Sequence, residues 1–157
     1  LFLIFTSPTM SESTLLLLYL LTTASKSFDS HVKSRTDLDK IVRPILRCIY
    51  AATSRSPPPS SPLLSRGRGQ LYACVIMLLQ WSSEYGFCTD LFARTFLPEV
   101  PWYRERRLRG ASGGGLLVLV AARLVTMNLN RMNDGYLLGN TLAVVSNVRH
   151  HVRNLEE

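Results

Sequence analysis

Side chains able to do chemistry are few in this chain, and they are poorly placed for it. His150 and His151 are neighbours, so on a helix they point about 100° apart and cannot converge on one metal. His31 stands alone, and no His-x-x-x-His pair occurs. Asp37 and Asp39 lie just ahead of an apolar periodic stretch, where they suit capping and the positive end of a helix dipole better than acid–base work on one substrate. Gly113, Gly114 and Gly115 precede an apolar run without a Gly-Lys-Ser/Thr or Gly-x-Gly-x-x-Gly pattern and with no recognisable leading strand, so close helix packing or a hinge is expected there, not a phosphate cradle. Cys48, Cys74 and Cys88 are widely spaced and odd in number, which favours reduced, buried thiols. The sequence therefore assigns no catalytic residue, no metal ligand and no cofactor site.

The densest group of large functional side chains is Trp102, Tyr103, Arg104, Glu105 and Arg106. Aromatics beside arginines are what a protein contact offers at its centre; the competing reading is an internal aromatic anchor with a Glu/Arg bridge. Candidate partner contacts are Trp102, Tyr103, Arg104 and Arg106, followed by Arg149 and Arg153 on the outer side of the last helix.

These residues are positioned by apolar blocks of helix length, Leu15 to Leu21, Leu71 to Leu79 and Leu116 to Leu129. A first helix is expected from Met10 to about Ala24, capped by Thr9 with Glu12 as capping-box partner and with leucines on every side, which marks a buried core helix. Phe28 to Ser34 reads as a polar connection. Thr36, Asp37 and Asp39 start a second helix, whose Leu38, Ile41, Val42, Ile45, Leu46, Ile49 and Tyr50 fall on one stripe and whose Pro44 should kink it near Lys40 or Ile41.

Residues 53–69 turn abruptly to Ser, Pro, Arg and Gly and read as a flexible insertion. Leu71 to Trp81 forms a third helix, about Phe87 to Phe96 a fourth, and Trp102 to Leu108 a short fifth element. A very apolar helix follows from Leu116 to about Asn130. The last starts near Asp134 with a stripe of Leu138, Leu142, Val145, Val148, Val152 and Leu155. No strand alternation competes, so the fold class is all-α, in antiparallel helix pairs.

At 157 residues with 46% hydrophobic content, the chain has enough apolar material for one packed domain. The net charge of +7 needs a partner hypothesis, since clustered arginines attract phosphates. Apart from Arg104, Arg106, Arg107 and Arg109 the basic residues are scattered, without interleaved aromatics, which describes a solubilising surface and no nucleic-acid partner. A spanning helix needs about 20 apolar residues; Leu15 to Leu21 is short, and Arg123 and Asn128 interrupt the later run. An integral membrane protein with short spans at 10–24 and 115–130 is the alternative reading. The chain opens at Leu1 and closes at Glu157 without a stop signal, as expected of a fragment of a longer protein.

Several ordered blocks together carry a resemblance: Leu16-Leu17-Leu18-Tyr19-Leu20-Leu21; Ser34-Arg35-Thr36-Asp37-Leu38-Asp39 with Pro44-Ile45-Leu46 and Tyr50; Trp102-Tyr103-Arg104-Glu105-Arg106; and Leu116-Leu117, Val120, Arg123, Asn128, Arg131, Asp134, Tyr136-Leu137, Asn140, Leu142-Ala143 and Asn147. Over about Leu15 to Asn147 the chain resembles the dymeclin family. It departs from the family pattern at Ser82-Ser83-Glu84-Tyr85, at Ser112-Gly113-Gly114-Gly115 and in the longer, proline-rich stretch from Thr53 to Gly69. The resemblance implies an internal fragment of a longer, non-catalytic protein, built as an α-solenoid or armadillo-like segment. It further implies a place in the cytoplasm and, peripherally, at the Golgi apparatus, where it serves Golgi organisation and vesicle traffic by binding other proteins of the trafficking machinery, with no cofactor and no small-molecule substrate.

Overall fold

The computed structural model describes residues 2–5, 7, 10–54, 68–89, 96–97, 99–105, 107–108 and 110–152. The fold is all-α, and the described residues include a two-stranded ribbon. The chain divides into two compact units, residues 1–78 and 79–157.

In the first unit, α1 (Phe2–Phe5) packs on α2 (Glu12–Ala24) and on α4 (Asp39–Thr53), and α2 packs on α3 (Lys26–Lys33). The cap of α2 is Ser11, whose hydroxyl accepts the Thr14 N–H at 3.1 Å. This corrects the expected cap at Thr9, which lies outside the described residues, and makes Glu12 the first helical residue, a place where its charge favours the dipole but closes no capping box. The expected polar connection at Phe28 to Ser34 is also corrected, because α3 occupies it. Ser25 alone separates α2 from α3: its N–H closes α2 on the Leu21 carbonyl at 3.1 Å, and its hydroxyl accepts the Phe28 N–H at 3.2 Å to open α3. An Asp29–Lys33 ion pair one turn apart, the buried Val32 and an edge-on contact between the Phe5 and Phe28 rings hold this short helix in place.

The stripe expected for α4 is buried at Ile41, Val42, Ile45, Leu46, Ile49 and Tyr50, at roughly 1.5–3 kcal/mol per large aliphatic side chain. Its start is not capped as expected. Leu38 is the capping residue without a side-chain bond, because Arg35 takes both carboxylate oxygens of Asp37, at 2.7 and 2.8 Å. That hydrogen-bonded fork holds the Asp37 carboxyl below its ordinary range and raises Arg35. The helix continues through Pro44. Most of the expected insertion, residues 55–67, lies outside the described residues; α5 (Arg68–Ser82) starts a little ahead of the expected Leu71, and the division between the two units falls within it.

In the second unit, a single helical turn, α6 (Tyr85–Cys88), stands at the start of the expected fourth helix, and the Trp81 and Phe87 rings meet at 5.7 Å. That helix does not reach Phe96, since β1 (Phe96–Leu97) pairs antiparallel with β2 (Ala111–Ser112); residues 90–95 lie outside the described ones. Gly110 precedes β2 at φ +65°, a left-handed conformation that glycine adopts without strain. A strand therefore does lead into the glycines, which are themselves the first turn of α7 (Gly113–Met127) and not a loop before it. Buried Ser112 makes this possible: its hydroxyl accepts the Gly115 N–H at 3.0 Å, offsetting the low helix propensity of three glycines.

Below α7 the chain makes a π-helical turn at Asn128–Met132 and ends it with Asn133 in the left-handed region. Buried Asn128 brackets the turn. Its amide donates to the Asp134 carbonyl at 2.9 Å and its oxygen accepts the Asp134 N–H at 3.1 Å. The last helix, α8 (Gly135–Val148), starts next to Asp134 as expected; Asp134 is its cap, accepting the Leu137 N–H at 3.0 Å, and α8 packs on α7. Val148 of the expected α8 stripe is buried, but ahead of it the buried line runs one position earlier than expected. Leu137, Thr141, Val144 and Val148 are buried, whereas Leu142 is 51% exposed, and the helix gives way at Arg149–His151 to a tighter 3-10 turn.

The Asn128 bracket leads to a stability test. Asn128→Ala removes both bonds to Asp134 in a buried place and should cost about 1–3 kcal/mol in urea unfolding, while exposed Asn130→Ala should stay within about 0.5 kcal/mol.

Candidate partner-contact surface

Residues 99–105 leave β1 and cross the surface before the chain returns at β2. Val100 and Leu108 are buried and anchor the two ends of this passage. The turn between them is set by Pro101, and the Tyr103 N–H donates to the Val100 carbonyl at 3.2 Å. Trp102 and Tyr103 are half-buried; Arg104 and Glu105 are exposed. No helix forms over the described part of Trp102 to Leu108, which corrects the short fifth element expected there as far as helix is concerned.

One tie on this segment is an ion pair between Glu105 and Arg123 on α7. The two side chains are 37% and 26% exposed, so the pair is a partly solvated bridge worth about 0–1 kcal/mol. Its effect is positional: it ties an irregular stretch to the most apolar helix of the unit. The sequence could not pair these two residues, because eighteen positions separate them and neither periodicity nor spacing links them.

Trp102, Tyr103 and Arg104 follow one another along this passage, with Arg107 exposed two residues beyond Glu105. Arg106 and Arg153 lie outside the described residues. Arg149 is exposed at the end of α8, but its guanidinium is engaged locally, Nε donating to His150 Nε2 at 2.8 Å and Nη1 to Ser146 Oγ at 3.1 Å. His151 is buried, edge-on to the Tyr85 ring at 5.4 Å. Asn147 is also turned inward, donating to Ser82 Oγ at 3.1 Å. The end of α8 therefore works largely as an internal clasp on α6 and the end of α5, a role hidden in the sequence behind its polar composition.

The remaining chemistry-bearing groups do not converge. All three cysteines are unbridged and buried, as expected. The Cys88 thiol donates to the Ser82 carbonyl, and burial, followed by the Glu84 charge, pushes it up to about 11, which leaves almost no thiolate at neutral pH. Among the described residues no cluster of His, Cys, Asp and Glu is placed to hold a metal ion. The run Gly113–Met132 is long and apolar enough to cross a membrane by length and composition, but half of it is buried inside the protein, and it carries the paired Arg123 and the bracketed Asn128.

The Glu105–Arg123 tie can be tested by Glu105→Gln. Global stability should change by less than about 1 kcal/mol, while hydrogen exchange at the Tyr103 and Arg104 amides accelerates at least severalfold.

Against known proteins, the family model described as "Dymeclin: Dyggve-Melchior-Clausen syndrome protein" matches residues 1–157. A Drosophila melanogaster protein named Dymeclin is 34% identical over 147 residues, covering 94% of this chain and 19% of that protein. Gallus gallus Dymeclin is 31% identical over 147 residues, with 94% and 20% covered, and Dictyostelium discoideum Dymeclin 28% over 145 residues, with 92% and 14% covered. The chain thus spans about a fifth or less of the length of these relatives. No solved structure matches it. A match over every residue, with relatives from insect, bird and amoeba preserving 28–34% identity across nearly the whole chain, establishes that this chain belongs to the dymeclin family.

Proposed function

We propose that this chain is one segment of a helical scaffold that works by binding other proteins, not by catalysis, in Golgi organisation and vesicle traffic. In this reading it belongs to the cytoplasm and sits peripherally on the cytosolic face of the Golgi apparatus, among proteins of the trafficking machinery. The whole segment is part of one continuing α-solenoid or armadillo-like stack, in which each helix pair covers its neighbour.

The observation that carries the binding role is the surface passage from Trp102 to Glu105, anchored at buried Val100 and Leu108 and tied to α7 through Arg123. Half-buried aromatics beside an exposed arginine, on a segment already held in shape, offer contact area at low ordering cost. Family membership supports the Golgi setting, and the α7–α8 pair, closed by the Asn128 bracket, supplies a unit that could repeat. Trp102, Tyr103 and Arg104 are the leading contacts, with Arg106 adjoining them in sequence and Arg149 and Arg153 second.

In the full-length family protein, the double variant Trp102→Ala, Tyr103→Ala should keep its helical circular dichroism and weaken its partners at least tenfold, as losing about 2 kcal/mol at a contact centre would. Retention of every partner in a pull-down from a Golgi-enriched extract would sink the site.

The second reading, an integral membrane protein, has the length and apolarity of Gly113–Met132 in its favour. Against it, α2 at 13 residues reaches only about 20 Å, short of a hydrocarbon core of about 30 Å, and Arg123 would have to leave Glu105 for lipid. Alkaline carbonate should release the full-length protein from membranes; retention in the pellet would favour the spanning reading.

A further inference from the structure

The face of α2 turned away from the first unit's core is apolar and open. Leu15, Leu18 and Thr22 are buried, yet Leu16, Leu17 and Leu20 on the other side are 41%, 40% and 57% exposed. Residues 16, 17, 20, 23 and 24 make a continuous strip, since positions three and four apart adjoin on a helix, and Thr23 and Ala24 extend it as exposed small residues. No charged residue occurs between Glu12 and Lys26. A helix face meant for water carries charge, and one apolar all round is built to be covered. Ile4 on the adjoining α1 is also exposed, at 47%.

We propose that this strip is an internal interface of the full-length protein, covered by a helix from the part of the family protein outside these 157 residues. Three observations select that occupant. The chain covers only 19–20% of the length of its insect and bird relatives, so about four fifths of such a protein is available to pack here. The leucines at 16, 17 and 20 form ridges of i+3 and i+4 spacing, the relief into which another helix packs. A helix lying in a lipid interface would instead carry Lys and Arg along its polar side, and α2 has none. The proposal rests on the stacked-helix part of the reading above and not on the Trp102–Tyr103 surface; either can fail while the other stands.

The test is thiol labelling of Leu20→Cys. Cys48, Cys74 and Cys88 are buried, so they contribute little background. The variant is placed both in this chain and in the full-length protein, and its maleimide rate under native conditions is divided by the rate in denaturant. Near-unhindered labelling in this chain, with at least about 100-fold protection in the full-length protein, is expected. Equal, fast labelling in both overturns the proposal. So does protection of this chain that grows with its own concentration, which would name a second copy as the occupant, or protection of the full-length protein that requires added anionic vesicles, which would name lipid. Leu17→Cys on the same strip repeats the measurement if the first variant does not fold.

Discussion

The rest of the second unit depends on covering α7. Its Leu116, Leu117, Val120, Ala121 and Leu124 are buried, and a helix so apolar has no stable place in water unless neighbours take up that surface. The packing of α8, the attachment of the ribbon through β2 and the tight turn below Met127 all answer this requirement. A bracket at Asn128 matters because α8 can lie along α7 only if the chain reverses within a few residues, and a reversal that short leaves polar backbone groups needing partners.

Polar side chains in this protein accordingly do most of their work at helix ends. Ser11, Ser25, Ser112 and Asp134 each accept a backbone N–H in the first turn of a helix, where up to four donors lack intrahelical partners. Buried hydroxyls within helices are satisfied in the same economical way: Thr22 donates to the Leu18 and Tyr19 carbonyls, and Thr141 to Leu137. Among the described residues, the Glu105–Arg123 pair and the Asn147–Ser82 bond are polar ties between parts of the chain far apart in sequence. Each fastens an irregular segment or a helix end, and neither builds a reactive centre.

Legibility followed the range of the interaction. The stripe of α4 could be read because seven apolar residues recur at steps of three and four, and the start of α8 near Asp134 because helix start signals act over a few residues. Short-range signals also misled where several candidates lay close together. Ser11 outcompeted Thr9, Arg35 diverted Asp37 from capping, and Ser25 with the Asp29–Lys33 pair made a helix of a stretch whose composition reads as a connection. In α8 the apolar residues run around more than one side, so the buried stripe could be drawn through Leu138 and Leu142 or through Leu137, Thr141 and Val144. Only contact with α7 selects the latter. At the contact surface, the sequence indicated Trp102, Tyr103 and Arg104 by composition but could not show that Glu105 reaches Arg123, or that Arg149 and Asn147 are occupied within their own unit.

By itself the sequence determined the helical class, the family and the absence of a recognisable catalytic motif, because each depends on residue types at short fixed spacings that survive without knowledge of the fold. Tertiary structure decided which side of each apolar helix is covered. A helix such as α2, with leucines all round, has no preferred inner face of its own. Neighbouring elements chose Leu15 and Leu18 for burial and left Leu16, Leu17 and Leu20 in the open, since hydrophobic attraction has no direction and acts only where surfaces meet.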